Sequence, residues 1–312
     1  MNFIYTTTLA ATLAASALSA SAIDASAVFS PVVSPYTPVE MTFCGKAVDL
    51  DNTLMAERLD RELTGMSYSH TNTLLTIKRA NKLFPELAPI LKRNGIPADL
   101  LYLACVESTL NPRAYSAAKA AGLWQFIPET AKQYGLEVNE YVDERYNTEK
   151  ATEAACRYFR KAFEKYGNWE SVAASYNGGM GRISSELDKQ QQRSAFNLYL
   201  ADETMRYIFR IMATKLIMEN PRAYGFTLHK SQLYQPVEYR TVTVDSPVED
   251  WPTWAKKHGI DYLTLREHNQ WIRAKSMPNK TGKTYKVRIP LEQSLSRKKQ
   301  NTTIYNPAWT VD

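Results

Sequence analysis

The sequence has little of what a disulfide framework or a metal site requires. Its 312 residues contain three cysteines, Cys44, Cys105 and Cys156, and four dispersed histidines. An odd number of widely spaced cysteines excludes a disulfide scaffold, and no histidine has the partner four residues away that a zinc-binding helix uses. We therefore expect no metal and no other cofactor. The alanines and leucines around Cys105 and Cys156 predict core thiols, with a disulfide in an exported chain as the alternative.

Motifs of phosphate-binding and serine-hydrolase sites are also missing. Gly282-Lys283-Thr284 lacks the upstream glycine of a P-loop, and no G-x-S-x-G pattern occurs. The 38 basic and 32 acidic residues give a net charge of +6 that is spread over the whole length. The densest basic run, Arg297-Lys298-Lys299, predicts a solvated tail. Because no nucleic-acid-binding motif is present, nucleic acid is not an expected partner and remains a weak alternative based on charge alone.

The first 22 residues, MNFIYTTTLAATLAASALSASA, contain no acidic or basic side chain. This stretch of small and apolar residues ends in an A-x-A cleavage pattern, which predicts a signal peptide over residues 1–22. A buried N-terminal helix is the alternative, since the usual Lys or Arg near the start is absent. No other run approaches the roughly 18 apolar residues of a membrane span. We therefore expect an exported chain in the periplasm or cell envelope, with no transmembrane span after cleavage.

Helical periodicity dominates the middle of the chain and predicts a mainly α fold. Residues 23–50, rich in Ser, Val and Pro, predict an extended lead-in. The segments that follow repeat apolar residues at helical spacing and are separated by Gly, Pro or Asn: 51–65, 69–84, 86–94, 98–110, 127–134, 147–166, 169–176 and 201–219. Together they indicate one all-helical domain over residues 51–235.

The pattern changes after Pro236. Two alternating segments flank two segments with helical spacing, in the order 239–244, 248–258, 264–271 and 285–289. Thr264 and Glu267 fit a capping box at the start of the second of these helices. The pattern predicts a small βααβ domain over residues 236–291, followed by a tail over residues 292–312.

One carboxylate, Glu107 in the stretch LYLACVESTLNP, lies on the apolar stripe of a predicted helix. At about 100° per residue, Leu100 and Leu103 fall within roughly 40° of it around the axis. A carboxyl held out of water resists ionisation, and an acid that stays protonated near neutral pH suits general acid catalysis. The alternative is a structural acid in a frayed and solvated last turn, because Asn111-Pro112 ends the helix.

Four short motifs follow one another along the chain: Glu107-Ser108, AAGLWQF at 120–126, ASYNGG at 174–179 and ETMRY at 203–207. Over roughly residues 45–226 the sequence resembles the family 1 lytic transglycosylases, lysozyme-like enzymes that cut the glycan strands of peptidoglycan. The resemblance is strongest to their membrane-bound lytic murein transglycosylase D branch. It implies a lysozyme-like catalytic domain over residues 51–235, and four ordered motifs are a specific signal.

The resemblance assigns roles to individual residues. Glu107 matches the single catalytic acid and base. Five further residues match the substrate site, the first and last of them at supporting positions: Ser108, Gln125, Tyr176, Asn177 and Tyr207. The amides of Gln125 and Asn177 carry the donors and acceptors that acetamido and hydroxyl groups need.

Aromatic rings next to these residues provide flat faces for a sugar ring. Trp124 and Tyr176 are the candidates for such contacts, whereas for Phe126 a core position is favoured. Lys119 departs from the branch pattern, which usually has glycine there, and this substitution predicts a reshaped loop beside the site. S-Y-N-G-G replaces A-Y-N-A-G, a milder change.

We identify no second acid in these motifs, although ordinary glycosidases use two carboxylates. Four nearby acids are predicted to lie on solvated surface or in ion pairs: Glu129, Glu137, Asp143 and Glu144. The resemblance implies that the β-1,4 bond between N-acetylmuramic acid and N-acetylglucosamine is cut without water, which leaves a 1,6-anhydromuramic end. A hydrolytic muramidase that uses one of the nearby acids is one alternative. An inactive peptidoglycan-binding envelope protein is another.

The βααβ unit resembles a LysM domain, a fold that grips glycans containing N-acetylglucosamine. Asn269 and the closing YKVRIP at 285–290 carry this likeness, while Trp251 and Trp254 mark the domain as divergent. The resemblance implies glycan binding with Asn269 as a candidate contact. A structural cap on the catalytic domain is the alternative. The expected partner of the chain is the peptidoglycan glycan strand, and partners in the cell-wall machinery are left open.

Overall fold

The computed structural model describes residues 33–280 and 282–312. The predicted signal peptide, residues 1–22, lies outside the described residues. The helices and strands of the described part run in this order: β1 Glu40–Phe43, β2 Lys46–Asp49, α1 Thr53–Tyr68, α2 His70–Arg93, α3 Leu101–Ser108, α4 Pro128–Gln133, α5 Thr148–Tyr166, α6 Trp169–Gly178, α7 Met180–Lys189, α8 Asp202–Glu219, β3 Tyr239–Val244, α9 Trp251–Lys257, α10 Tyr262–His268, β4 Tyr285–Pro290 and α11 Glu292–Leu295.

Helix α8 is central to the helical domain, because α1, α3 and α6 all pack against it. It contributes Phe209, Met212 and Ala213 to the main hydrophobic core. Removal of this apolar surface from water is the main source of stability for such a domain. The mainly α fold predicted for the middle of the chain is confirmed.

Asparagine side chains fix the starts of three helices. Asn52, Asn147 and Asn168 precede α1, α5 and α6, and each accepts a hydrogen bond from the backbone N–H three residues further on. Such a cap satisfies one of the N–H groups that the first turn leaves unpaired. The sequence placed these three starts within two residues of their observed positions.

Helix α2 corrects the prediction of two helices over 69–84 and 86–94. It is continuous from residue 70 to residue 93 and contains both Pro85 and Pro89. Each proline removes one backbone hydrogen bond of the helix. Phe84, Leu87 and Ile90 are nonetheless buried along the same face, so packing of this face outweighs the missing bonds. Helix α7, which was not predicted, is polar and buries only Ile183 among its described residues.

The lead-in predicted over residues 23–50 contains an antiparallel hairpin of β1 and β2. Cys44 and Gly45 form its two-residue turn with φ of 50° and 81°, the combination that matches the twist of a tight hairpin. Met41 and Phe43 are buried in the same core as the helices. The end of the lead-in is therefore part of the domain core, which corrects the prediction of an extended segment.

The predicted βααβ unit is confirmed, with β3 and β4 paired antiparallel from Tyr239↔Pro290 to Val244↔Tyr285. Helix α10 begins earlier than predicted. Its cap is Asp261, whose side chain accepts a hydrogen bond from the Thr264 backbone N–H. The capping box predicted at Thr264 is therefore wrong, because this residue already lies within the first turn.

Backbone pairing joins the βααβ unit to the helical domain. Val142 pairs with Ile272 as an isolated bridge, and the Asp143 N–H donates to the Trp271 carbonyl at 2.9 Å. The side chain of Val142 belongs to the βααβ core. Arg288 extends the contact with an ion pair to Glu86 at 2.6 Å. These contacts favour the alternative of a structural cap.

The tail predicted over residues 292–312 packs against the helical domain at its far end. Trp309 is buried, and its Nε1 donates to the Met218 carbonyl at 2.5 Å. Asn81 donates to the Thr303 carbonyl and accepts from the Tyr305 N–H, both at 2.8 Å. Side chains of the basic run 297–299 are exposed, as predicted. The tail is thus solvated only in part.

All three cysteines lie in the described part of the chain and are free thiols. Cys105 and Cys156 are buried, which confirms the prediction of core thiols. Over residues 33–280 and 282–312, no helix is long and apolar enough to cross a membrane. The same residues contain no cluster of three His, Cys, Asp or Glu side chains arranged to hold a metal ion.

Candidate active site

Glu107 is the next-to-last residue of α3 and is partly buried. Burial raises the pKa of its carboxyl from 4.5 to about 7, and the charge of Glu203 adds to this rise. A hydrogen bond from Tyr207 and the charge of Arg210 act in the opposite direction. The carboxyl therefore holds its proton near neutral pH, as a general acid must.

Helix α8 supplies the residues that adjust this acid. Glu203, Tyr207 and Arg210 follow one another at spacings of four and three, so they lie on one face of the helix. The Tyr207 hydroxyl donates directly to Glu107 Oε1, and Arg210 also pairs with the buried Glu62 at 3.0 Å. Sequence reasoning gave no role to Glu203 or Arg210. Their helical spacing from Tyr207 was the available signal.

Tyr207→Phe is expected to shift the pH dependence of activity upward. The acid must be protonated to act, so kcat/KM falls as pH rises through the pKa of Glu107, about 7. The hydrogen bond from Tyr207 lowers that pKa, and its removal should move the basic limb up by roughly 0.5–1 pH unit. The measurement is a pH profile of kcat/KM beside Tyr199→Phe, which changes an exposed tyrosine. A basic limb of the pH profile that stays in place or moves to lower pH would contradict the role of Tyr207 in lowering the pKa of Glu107.

The chain turns sharply after Glu107. Thr109 and Leu110 both have left-handed backbone conformations, with φ of 50° and 53°, a region that costs non-glycine residues energy. Arg79 stabilises the turn by donating to the Thr109 carbonyl at 3.0 Å and to its hydroxyl at 3.1 Å. This turn ends α3 one residue after Glu107, so the acid lies at the C-terminal end of the helix.

Two hydrogen bonds fasten the loop at 122–126 beside the acid. The Ser108 hydroxyl donates to the Leu123 carbonyl at 2.9 Å, and the Tyr176 hydroxyl donates to the Trp124 carbonyl at 2.7 Å. Ser108 is the immediate neighbour of Glu107, and Tyr176 lies on α6. Three of the four sequence motifs are therefore brought together, and Tyr207 brings the fourth through its bond to Glu107.

Gln125 and Asn177 present amides at this site. Gln125 has a left-handed backbone with φ of 47°, and its Nε2 donates to the Gly122 carbonyl at 2.8 Å. Asn177 Oδ1 accepts from the Thr204 hydroxyl at 2.8 Å. Within the described residues, Gln125 Oε1 and Asn177 Nδ2 have no hydrogen-bond partner, so an acceptor and a donor remain available to a ligand.

Trp124 does not offer a face to a sugar ring. Its side chain is 0% exposed, its Nε1 donates to the Thr152 hydroxyl at 2.9 Å, and its ring packs edge-on against Phe159. This corrects the expected substrate contact, since the residue anchors the loop to α5. Phe126 is also buried, as favoured from the sequence. Tyr176 is partly exposed and packs on Tyr158 with ring centroids 5.0 Å apart.

Arg145 supports the loop from inside. Its guanidinium donates to the carbonyl of Lys119, three residues before the loop at 122–126, at 2.6 Å and to that of Phe126, its last residue, at 3.1 Å. Asp143 accepts from the same guanidinium at 2.7 and 2.9 Å. The side chains of Asp143, Arg145 and Phe126 are buried, whereas the side chain of Lys119 is exposed. Buried ion pairs are costly to break on one side only, so the loop is rigidly supported.

The four acids considered for a second catalytic role have different positions. Asp143 and Glu144 are both buried and form ion pairs, with Arg145 and Lys150 respectively. Glu137 pairs with Lys283 at 2.9 Å, and Glu129 is exposed. The prediction of solvated surface or ion pairs is confirmed, with ion pairs at Asp143, Glu144 and Glu137 and an exposed side chain at Glu129. The missed acid is Glu203, which is exposed and acts on the Glu107 pKa.

Lys119, which replaces the glycine of the branch, has a left-handed backbone with φ of 61°. Glycine adopts this conformation without the steric cost that a Cβ brings. We expect Lys119→Gly to raise the free energy of unfolding by roughly 0.5–1 kcal/mol, measured by urea unfolding. Lys119→Ala is the matched control, because it removes the charge but retains the Cβ. An equal gain from both variants would contradict the backbone explanation.

Asn269, the candidate glycan contact of the βααβ unit, is 0% exposed. Its Nδ2 donates to the carbonyls of Leu265 and Arg288, and its Oδ1 accepts from the Arg288 N–H at 2.8 Å. These bonds tie α10 to β4. The expectation of a glycan contact is corrected, because the amide is enclosed and already bonded on both sides.

Family comparisons agree with this layout. Residues 88–199 match the family model described as Transglycosylase SLT domain. Residues 240–293 match the one described as Soluble lytic transglycosylase C-terminal LysM-like domain. The first match contains Glu107 and the loop at 122–126, and the second covers β3 to β4.

Two curated proteins and one solved structure are similar to parts of this chain. Membrane-bound lytic murein transglycosylase D of Escherichia coli K12 is 29% identical over 232 residues, which cover 73% of this chain and 50% of that protein. This chain thus spans about half the length of that relative. Peptidoglycan transglycosylase gp16 of phage T7 is 38% identical over 95 residues, covering 30% of this chain and 7% of that protein. The crystal structure of the 70 kDa soluble lytic transglycosylase of Escherichia coli superposes with a TM-score of 0.36 at 20% identity, over 55% of this chain and 33% of that one.

Proposed function

We propose that this chain, which carries a transglycosylase SLT domain and the LysM-like domain of soluble lytic transglycosylases, cleaves peptidoglycan as a lytic transglycosylase. The observation that carries the proposal is Glu107, a partly buried carboxyl with a pKa of about 7 that accepts a hydrogen bond from Tyr207. The substrate bond is the β-1,4 linkage between N-acetylmuramic acid and N-acetylglucosamine.

In the first step, protonated Glu107 donates its proton to the glycosidic oxygen. The bond between that oxygen and muramic C1 breaks, and the N-acetylglucosamine side leaves as an alcohol. Positive charge at C1 is carried by the oxocarbenium form of the ring or by its own acetamide, the substrate-assisted route. Glu107 is then a carboxylate.

In the second step, carboxylate Glu107 takes the proton from the muramic C6 hydroxyl. The C6 oxygen bonds to C1 and closes a 1,6-anhydro ring, which restores protonated Glu107. The two steps together return the enzyme to its starting protonation state, and they consume no water and require no metal or cofactor. One residue with a pKa near neutral pH serves both steps, because it both gives and accepts a proton at similar pH.

Gln125, Asn177 and Tyr176 are proposed to hold the sugar. The free Gln125 Oε1 accepts from a hydroxyl or acetamido N–H, and the free Asn177 Nδ2 donates to an acetamido carbonyl. Tyr176 positions the loop through its bond to the Trp124 carbonyl. Ser108 and Tyr207 act through other groups, Ser108 on the loop and Tyr207 on the acid.

Hydrolysis on the same fold is the second candidate, favoured by Glu203. This exposed acid lies close enough to raise the pKa of Glu107, and a second carboxylate is what an inverting or retaining hydrolase needs. The hydrolytic route would place water at muramic C1 and leave a reducing end. The two routes differ in the chemical form of the product.

The enzyme proposal is tested by incubating the chain with purified insoluble peptidoglycan and measuring soluble muropeptides. We expect steady release at neutral and mildly acidic pH. Binding to the insoluble material without release would contradict the enzyme proposal and support the alternative of an inactive binding protein.

We also propose that the chain is exported and acts in the periplasm or cell envelope. The support is the predicted signal peptide together with a substrate that lies in the cell wall. Fractionation of cells that produce the chain, with N-terminal sequencing, is the measurement. Recovery in the cytoplasmic fraction with Met1 intact would contradict the proposal.

A further inference from the structure

A cavity of about 670 Å³ lies where the βααβ unit meets the helical domain. The helical domain contributes Arg113, Tyr115, Arg145 and Tyr146, and the βααβ unit contributes Arg266 and Arg273. Cavities of this volume commonly hold small ligands or parts of larger ones. The cavity is separate from Glu107, which does not line it, and the active-site roles described above do not use it.

Two of the four arginines are neutralised by acids. Arg145 forms its buried pair with Asp143, and Arg113 pairs with the exposed Glu267. Arg266 and Arg273 have no acidic partner within residues 33–280 and 282–312. The cavity therefore keeps an excess of positive charge, which favours an anionic ligand.

Arg266 has a donor without an acceptor. Its Nε is buried and makes no hydrogen bond to any described residue, although its NH1 donates to the Tyr262 hydroxyl at 2.7 Å. Leaving a buried donor unpaired is costly, but this nitrogen is already covered by protein atoms. What Arg266 contributes to the cavity that it lines is therefore its positive charge.

Aromatic rings orient the other free guanidinium. The Arg273 guanidinium lies 4.6 Å from the ring centroid of Tyr146, and its Nη1 donates to the Gln270 carbonyl at 3.4 Å. Tyr115 is 60% exposed and offers an open ring face at the cavity. A planar guanidinium held in this way is suited to carboxylates, which it binds through two parallel hydrogen bonds.

We propose that this cavity binds a carboxylate of the stem peptide that peptidoglycan carries on its muramic acid. The proposal rests on the proposed function, since it concerns the same substrate. Arg145 lines the cavity and also donates to the carbonyls of Lys119 and Phe126, which flank Gln125 along the chain. A peptide that leaves the glycan near the active site would therefore find the cavity next to this segment.

The test uses the Glu107→Gln chain, so that strands remain uncut during binding. Affinity is measured for soluble glycan strands that bear stem peptides and for the same strands after the peptides are removed. We expect Arg266→Gln and Arg273→Gln each to weaken binding of peptide-bearing strands by roughly tenfold, with little change for stripped strands. Arg297→Gln is the matched control, because it removes an exposed arginine of the tail. Because Arg273 is exposed, its replacement leaves no buried gap that could destabilise the fold.

Unchanged affinity in both variants would overturn the proposal, and so would equal losses on both kinds of strand. An oligonucleotide bound by the parent chain and released by the same variants would show phosphate recognition instead, and would also overturn it. Failure of the proposed function has a different signature. If the chain with Glu107 intact releases no muropeptides but still binds peptide-bearing strands more tightly than stripped strands, the proposed function is contradicted. The proposed carboxylate site is then still supported.

Discussion

Glu107→Gln is expected to reduce the release of soluble muropeptides by roughly 10²–10⁴-fold, the usual contribution of a positioned acid or base. Glutamine preserves the shape of the side chain and can accept the Tyr207 hydrogen bond, but its amide is too weak an acid to protonate the glycosidic oxygen. The measurement is the initial rate of release from purified peptidoglycan at pH 6, where wild-type Glu107 is mainly protonated because its pKa is about 7.

Glu129→Gln is the matched control for this loss. Glu129 is an exposed acid in the first turn of α4, so its replacement removes one carboxylate from the same domain without touching the site. We expect wild-type rates from the control. Activity retained by Glu107→Gln, or an equal loss of activity in both variants, would contradict the role of Glu107 as the catalytic acid.

The same substitution has an expected effect on stability with a defined sign. Glu107 has an ordinary pKa of 4.5 and a folded-state pKa of about 7, so ionisation opposes folding. The penalty is absent below pH 4.5, grows as pH rises, and is complete above pH 7. Glu107→Gln should therefore be more stable than wild type at pH 8, on the order of 1–3 kcal/mol, and show no such gain at pH 4. Unfolding by urea at both pH values measures the difference.

Gly122→Ala is expected to cause the largest loss of stability in the loop beside the acid. A Cβ on Gly122 would lie 2.0 Å from the Arg145 carbonyl oxygen, and backbone cannot move aside as a flexible side chain can. The residue also has φ of 78°, where any Cβ adds steric cost. Together these effects should lower the free energy of unfolding by roughly 2–5 kcal/mol.

Gly167→Ala separates the two causes. Gly167 has a similar φ of 67°, but a Cβ there would meet nothing within 4 Å. Its replacement should cost only about 1 kcal/mol, the backbone contribution alone. Urea unfolding of both variants supplies the comparison. Similar losses at the two glycines would mean that the contact with Arg145 does not constrain the loop.

Local chemistry made part of the site predictable from the sequence. Glu107 stood out because its position on an apolar stripe conflicts with its charge, and burial does raise its pKa. Helical spacing, with Gly, Pro and Asn as the breaks between segments, predicted most helix positions. Pro85 misled the prediction by indicating a break, whereas the buried face of Phe84, Leu87 and Ile90 keeps the helix continuous.

Long-range packing accounts for what the sequence did not reveal. An aromatic residue suits a sugar platform and a core equally well, and only the fold shows that Trp124 is enclosed. The same applies to Asn269, whose bonds reach β4 across the βααβ unit. For Asp143 the sequence was compatible with both solvated surface and an ion pair, and only the fold shows the buried pair with Arg145.

The most direct test of the single-acid account is mass spectrometry of products formed in water labelled with heavy oxygen. The single-acid mechanism yields muropeptides that end in 1,6-anhydromuramic acid, one water lighter than hydrolysed products, with no label incorporated. Reducing ends that carry one heavy oxygen would contradict it, because water would then have attacked muramic C1. In that case Glu203→Gln would be examined next, since Glu203 is the exposed acid that acts on Glu107.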